Sequence, residues 1–167
     1  MDIINFSYTN VNSEITKNLL QKCYDNNIIA IANVCDKLTG PTFIQKSEYT
    51  LTVSYVTDKK EFVEGDKEKS PLKGSFVDCV SYGYGVKCIN HQDAQFIYGI
   101  EEAPVAQYYC NFAMAQVMGI CALLKQQNPN LKTAQDIRVI LPNICEPLYG
   151  GENNKTGYGL LKAKILN

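Results

Sequence analysis

The chain has 167 residues with 16 Lys and Arg against 17 Asp and Glu. That length suits one domain burying roughly two thirds of its unfolded surface, and so even a charge balance leaves no basic stripe for a nucleic-acid partner. No apolar run approaches the roughly 20 residues of a membrane span, and Met1-Asp2 leads straight into a strand instead of a signal peptide, so a cytoplasmic location away from membranes is expected.

Strand signals fall at residues 3–8, 28–32, 49–56 and 76–82. The second is a continuous apolar run, as a parallel strand covered on both faces requires. Between the first two, the spacing predicts a helix over 13–26, with Ser13 as N-cap and Ile15, Leu19, Leu20 and Cys23 as its apolar face. Strand, helix and strand at this length make a right-handed βαβ unit. Residues 57–74 carry Lys59, Lys60, Glu61, Glu64, Asp66, Lys67, Glu68 and Lys69 and read as a solvated loop. Residues 111–125 are apolar around most of a helix, which suits a central buried position. A shorter helix follows at 133–141, with Thr133 and Asp136 placed to cap it. Gly150-Gly151 and Gly157-x-Gly159 mark a terminal turn or hairpin. No repeat or second domain is visible, so residues 1–167 are read as a single domain.

Cysteines stand at 23, 35, 79, 88, 110, 121 and 145. An odd count without a Cys-x-x-Cys pair argues against a disulfide framework and a zinc ribbon. Cys23 and Cys121 are read as small core residues of a reduced protein. No cluster has metal-ligand spacing, and Asp93 near His91 is too little for a site, so neither metal nor cofactor is expected.

Residues 110–124, Cys-Asn-Phe-Ala-Met-Ala-Gln-Val-Met-Gly-Ile-Cys-Ala-Leu-Leu, resemble the nucleophile helix of the subtilisin-like serine proteases. That helix reads Gly-Thr-Ser-Met-Ala-x-Pro-His-Val-x-Gly-x-x-Ala-Leu-Leu. Anchored on Val117, Gly119, Ala122, Leu123 and Leu124, the family serine falls on Asn111, its Gly-Thr on Tyr109-Cys110 and its Pro-His on Ala115-Gln116. Other segments are similar in the same order. Ile3-Ile4-Asn5-Phe6-Ser7 resembles Val-Ile-Asn-Met-Ser, and Asn27 to Ala32 resembles the strand leading to the oxyanion-hole asparagine. Tyr49 to Ser54 resembles the strand after it. Val77-Asp78-Cys79-Val80 resembles the segment before an Ala-Pro-Gly turn, which here reads Ser81-Tyr82-Gly83. Asn128 through Leu141 resembles Pro-x-Leu-x-x-x-Gln-Ile-Arg-x-x-Leu, and Gly157 to Leu161 the closing Gly-x-Gly-Leu-Val.

The resemblance covers nearly the whole chain but only about the C-terminal half of a subtilase domain. It implies a three-layer αβα fold with a truncated, mostly parallel sheet and the nucleophile-type helix buried. The family's catalytic Asp and His precede the strand matched at residues 3–7 and so lie outside this chain. Acyl transfer needs a nucleophile, a base, an orienting carboxylate and oxyanion donors. Asn111 offers an amide in place of the hydroxyl. Mapped without gaps, the oxyanion asparagine falls on Asp36, whose carboxylate would repel an oxyanion. Asn33 is a rival donor, but placing it there requires a deletion. The family's substrate strand maps to Ser7-Tyr8-Thr9, where Thr9 replaces a glycine that admits the peptide backbone.

The expectation is therefore a non-catalytic, subtilisin-like subunit that binds a peptide or protein, or serves as a scaffold. Two alternatives stand beside it. One is a cysteine-dependent hydrolase using Cys110, ahead of a helix N-terminus, with His91 as base; its bland counterpart is that Cys110 fills the family threonine's volume and His91 is a solvated loop residue. The other is a fragment complemented by a chain carrying the missing Asp and His, a scheme that would need serine at position 111. Partners implied are an active subtilase or a second copy, joined through the strand at Ile3, Ile4 and Phe6, which becomes an apolar sheet edge.

Overall fold

In a computed structural model, the described residues are 2–7, 12–34, 40–65, 70–85, 87–89, 96–98 and 106–163, with side chains at 87–89, 96–98 and 106–108 set aside. Chain order gives β1 (Ile3–Phe6), α1 (Glu14–Asp25), β2 (Ile29–Asn33), α2 (Phe43–Lys46), β3 (Thr50–Thr57) and β4 (Cys79–Tyr84). Then come β5 (Lys87–Ile89), β6 (Phe96–Tyr98), α3 (Ala106–Gln127), α4 (Ala134–Ile144), β7 (Cys145–Glu146) and β8 (Leu160–Leu161). Six strands form one sheet in the order β1-β2-β3-β4-β8-β7. All neighbours in it are parallel except β7 and β8, which close a hairpin, and β5 and β6 pair separately.

Alternation along the strands sorts the core into two faces. Ile29, Ile31, Leu51, Val53 and Tyr55 point toward α3 and α4, and join Ala113, Met114, Val117, Cys121 and Ile137 in the main cluster. Ala30 and Ala32 point the other way, with Leu20 of α1 and Ile44 of α2. The fold is thus α/β with helices on both faces of a mostly parallel sheet. Alanine on the α2 face lets that short helix approach. There the Gln45 amide donates to the Asn33 carbonyl at 2.9 Å, and the Thr52 hydroxyl donates to the Gln45 carbonyl at 2.9 Å.

Helix α1 begins as expected, the Thr16 amide donating to Ser13 Oγ at 3.2 Å. Its expected apolar face is only partly inside. Leu20 is buried and Cys23 half-buried, whereas Ile15 and Leu19 are 73% and 51% exposed. The reason is angular: Ile15 and Leu19 project about 100° or more from Leu20 around the helix, onto a flank that nothing covers among the described residues. Helix α3 is longer than its apolar run and buries one stripe, Tyr109, Cys110, Ala113, Met114, Val117, Cys121 and Leu124, while Leu123 is half exposed. The segment expected to turn at Ser81-Tyr82-Gly83 stays in β4 to Tyr84.

Helix α4 is fastened by Arg138, whose guanidinium bonds both Asp78 carboxylate oxygens at 2.6 and 3.0 Å and also donates to the carbonyls of Glu48 and Thr50. Asp78 in turn accepts the Thr52 amide at 2.6 Å. Burial pushes its carboxyl up, against the pull of Arg138 and of that amide. Gly157, at φ 56°, lies against the Asp78 and Val77 carbonyls too closely for a Cβ, which threads the C-terminal segment back into β8 beside β4. No helix of the described residues is long and apolar enough to cross a membrane.

Candidate functional site

The site begins with strand parity. β2 alternates Ile29, Ala30, Ile31, Ala32, Asn33, so the side chain that ends the α3-facing row is polar. Asn33 is 1% exposed, and its carboxamide Nδ2 donates to Asn111 Oδ1 at 2.6 Å and to the Ser7 carbonyl at 3.1 Å. One amide therefore ties together the C-terminal ends of β1 and β2 and the helix that crosses them. Ser7 and Asn111, singled out independently by sequence, are brought to a common point. Asn33, expected there only with a deletion, is the residue that joins them.

Asn111 does not sit at a helix start. Helix α3 begins at Ala106, which puts Asn111 beyond the first turn. Its backbone amide is thus drawn into the i to i−4 ladder and is not one of the free N-terminal donors that anion binding uses. Cys110 is displaced in the same sense. It was expected ahead of the helix N-terminus, but it lies inside α3, is fully buried and is disulfide-bonded. Cys110 therefore offers no free thiol beside Asn111. The disulfide also departs from the fully reduced protein expected from the cysteine count. His91, the proposed base, lies outside the described residues, as do Tyr8, Thr9 and Asp36.

The remaining cysteines with described side chains are thiols: Cys23, Cys79, Cys121 and Cys145. Burial raises Cys23, pushes Cys121 up to about 12 and holds Cys79 well above the usual thiol range, with the neighbouring Cys145, Asp78 and Cys121 adding to the last. Neutral buried thiols are poor nucleophiles. Among the described residues no group of three His, Cys, Asp or Glu is arranged to hold a metal ion.

Sequence reasoning placed Gln116 at the family histidine without giving it a task. Its Nε2 donates to the Tyr82 carbonyl at 2.7 Å, and its Oε1 accepts from Ser81 Oγ at 3.1 Å. That fixes the middle of α3 over β4 beside the Asn33 and Asn111 pair. The signal for it was a polar side chain within an otherwise apolar helical run. Above these bonds the first turns of α3 are wedged by aromatics, Tyr109 meeting Tyr55 and Tyr84 with ring centroids 5.5 and 5.1 Å apart. Gly83 leaves room for them. A Cβ there would collide with the Tyr109 carbonyl and come within 2.7 Å of Tyr55 Cβ.

No family model and no curated protein matches the sequence. Solved structures do match in shape. MycP1 without its N-terminal propeptide superposes with a TM-score of 0.71 and 18% identity, over 97% of this chain and 60% of that one. The subtilase cytotoxin SubAB gives 0.68 and 18%, over 98% and 57%. Fervidolysin from Fervidobacterium pennivorans, a keratinolytic enzyme related to subtilisin, gives 0.69 and 18%, over 97% and 26%. The fold is subtilisin-like, and the chain spans at most about 60% of these relatives' length.

Proposed function

We propose that this subtilisin-like domain is a non-catalytic subunit that holds a protein or peptide partner. The observation that carries the reading is the 2.6 Å bond from Asn33 to Asn111 at the position that resembles the family nucleophile. A carboxamide has no proton whose removal yields an acyl-accepting oxygen, so the ester intermediate of acyl transfer has no starting point there. The oxygen that stands in place of the hydroxyl is already occupied as an acceptor. An Asn33 amide spent on two intramolecular bonds is also not free to meet an oxyanion. The same residues serve a different end, because they brace β1, β2 and α3 into a rigid face.

A fluorophosphonate probe and a casein digestion assay test the reading on the purified chain. Reductant is left out so that the disulfide at Cys110 persists. The expected result is neither labelling nor turnover. Stoichiometric labelling of any side chain, or casein cleavage that copurifies with the chain and is lost on changing Asn111, would overturn it. Trapping by a thiol-directed inhibitor at Cys110 would instead revive the cysteine alternative. Fragment complementation predicts activity only after Asn111→Ser together with a partner bearing Asp and His.

A further inference from the structure

The layer formed by α1 and α2 holds a groove on the face of the sheet opposite α3, and its walls are pinned together at both ends. At the helix starts the Phe43 amide donates to Asn12 Oδ1 at 2.7 Å. At the helix ends the rings of Tyr24 and Tyr49 meet with centroids 5.0 Å apart. Helix α2 is itself fastened, since the Gln45 side chain accepts the Thr42 amide at 2.9 Å and donates to the Asn33 carbonyl at 2.9 Å. Between the pins lies a cavity of about 370 Å³. Leu20, Phe43 and Tyr49 give it an apolar lining, with Leu20 buried and Phe43 44% exposed at the rim. Lys17 of α1 and Lys46 of α2 border it from opposite walls. The Lys17 ammonium is 4.0 Å from Glu14 with both side chains well exposed, a contact that contributes little. Lys46 makes no ion pair among the described residues. Among the described residues of the lining Glu48 alone is acidic, and its carboxylate accepts from Gln135 of α4 at 3.1 Å, which turns it toward the other helical layer.

Resting on the partner-binding reading above, we propose that this groove holds the partner, and that it takes an acidic peptide segment with one aromatic side chain between its carboxylates. The aromatic side chain enters against Leu20, Phe43 and Tyr49, in a cavity at the small end of the range that ligand sites occupy. The carboxylates on either side of it reach Lys17 and Lys46 as charge-assisted partners. Walls already pinned at both ends lose little freedom on binding. The surrounding charges select a short peptide over a broad polyanion. Glu14 contacts Lys17, Asp25 accepts from Gln21 on the cavity wall, and Glu48 borders the cavity. A nucleic acid or an anionic membrane would lie across these carboxylates as well as the two lysines, whereas a peptide can set its own carboxylates on the lysines alone.

The test is a titration of the isotope-labelled chain with Ac-Asp-Glu-Phe-Glu-Asp-NH2, followed by NMR into the millimolar range, with circular dichroism to confirm that each variant is folded. Saturable shifts are expected at Leu20, Phe43, Lys46 and Tyr49. Phe43→Ala and Lys46→Glu alter exposed side chains, so the fold should persist, and each should raise the dissociation constant about tenfold. Lys17→Glu combined with Lys46→Glu should exchange the preference, binding Ac-Lys-Lys-Phe-Lys-Lys-NH2 in place of the acidic peptide. Absence of shifts at Phe43 and Tyr49, equal affinity for Ac-Asp-Glu-Ala-Glu-Asp-NH2, or binding indifferent to both lysines overturns the proposal. Tighter binding to phosphatidylserine vesicles or to single-stranded DNA than to the peptide overturns it as well. The fluorophosphonate and casein assays on the same samples keep the two readings apart. An inactive chain that leaves the peptide unbound removes the groove alone, and an active chain that binds it at Phe43 removes the non-catalytic reading alone.

Discussion

The face beneath α3 and α4 and the flank formed by β1 and α1 are built from one sheet but finished very differently. Beneath α3 and α4 the polar side chains are paired with specific partners: Asn33 with Asn111 and Ser7, Gln116 with Tyr82, Arg138 with Asp78. At the β1 flank Ile3, Ile4 and Phe6 are only half-buried, Ile15 and Leu19 are exposed, and Leu20 is the one fully buried residue of α1. The first face is closed by bonds between side chains far apart in sequence, whereas the second leaves Ile15 and Leu19 in solvent. The difference predicts where substitutions will cost folding and where they will not.

The largest folding effect belongs to Arg138. Asp78 is nearly enclosed, and removing its guanidinium partner leaves a buried carboxyl held only by the Thr52 amide. Arg138→Ala should cost about 3–5 kcal/mol in urea denaturation. A loss below about 1 kcal/mol would reduce the pair to a surface contact and blur the contrast between the two regions.

Gly83→Ala comes next. The added methyl meets backbone at Tyr109 and the ring of Tyr55, neither of which yields easily, so about 1–3 kcal/mol should be lost. A matched change on the open side, Ile15→Ser, removes an exposed side chain and should move stability by no more than about 0.5 kcal/mol. Equal costs at the two positions would mean that the α1 flank is packed after all.

How far the sequence reveals this arrangement depends on whether a residue's role is set by period or by partner. β2 was legible from its continuous apolar run, β3 from the alternation of Leu51, Val53 and Tyr55 with Thr52 and Ser54, and α4 because Thr133 and Asp136 carry its cap in the local sequence. Ile15 and Leu19 were misplaced because period alone cannot say how wide a helical face the neighbouring layer covers. The start of α3 was missed because Ala106 to Tyr109 carries no capping residue to announce it. Asn33 was hidden by counting along an alignment, although strand parity from Ile29 and Ile31 already pointed its side chain toward α3. Asp78 and Arg138 were each visible within motifs, but 60 residues of separation kept their pairing out of sight.

The smallest effect separates the two helices that begin on either side of the comparison. Helix α1 is capped by the Ser13 hydroxyl, which does not titrate in the ordinary range. Helix α4 is capped by Thr133 and closed by the Asp136 carboxylate, which accepts the amides of Lys132 and Thr133 at 2.9 and 2.8 Å. Burial pushes the Asp136 carboxyl up, but those amides, the Thr133 hydroxyl and the Lys132 charge together hold it below its ordinary value. A carboxyl depressed in the folded state stabilises fully above the unfolded value near 3.8, and that contribution is lost as pH falls through the lower folded value. Acid should therefore loosen α4 in a way that Asp136→Asn abolishes, while Ser13→Ala costs about 1 kcal/mol at every pH. Urea midpoints followed from neutral pH into acid measure both. If wild type and Asp136→Asn lose stability along the same acid limb, the cap is not what acid breaks. If Asp136→Asn alone is flat, the closed face carries a proton-sensitive latch that the open flank lacks.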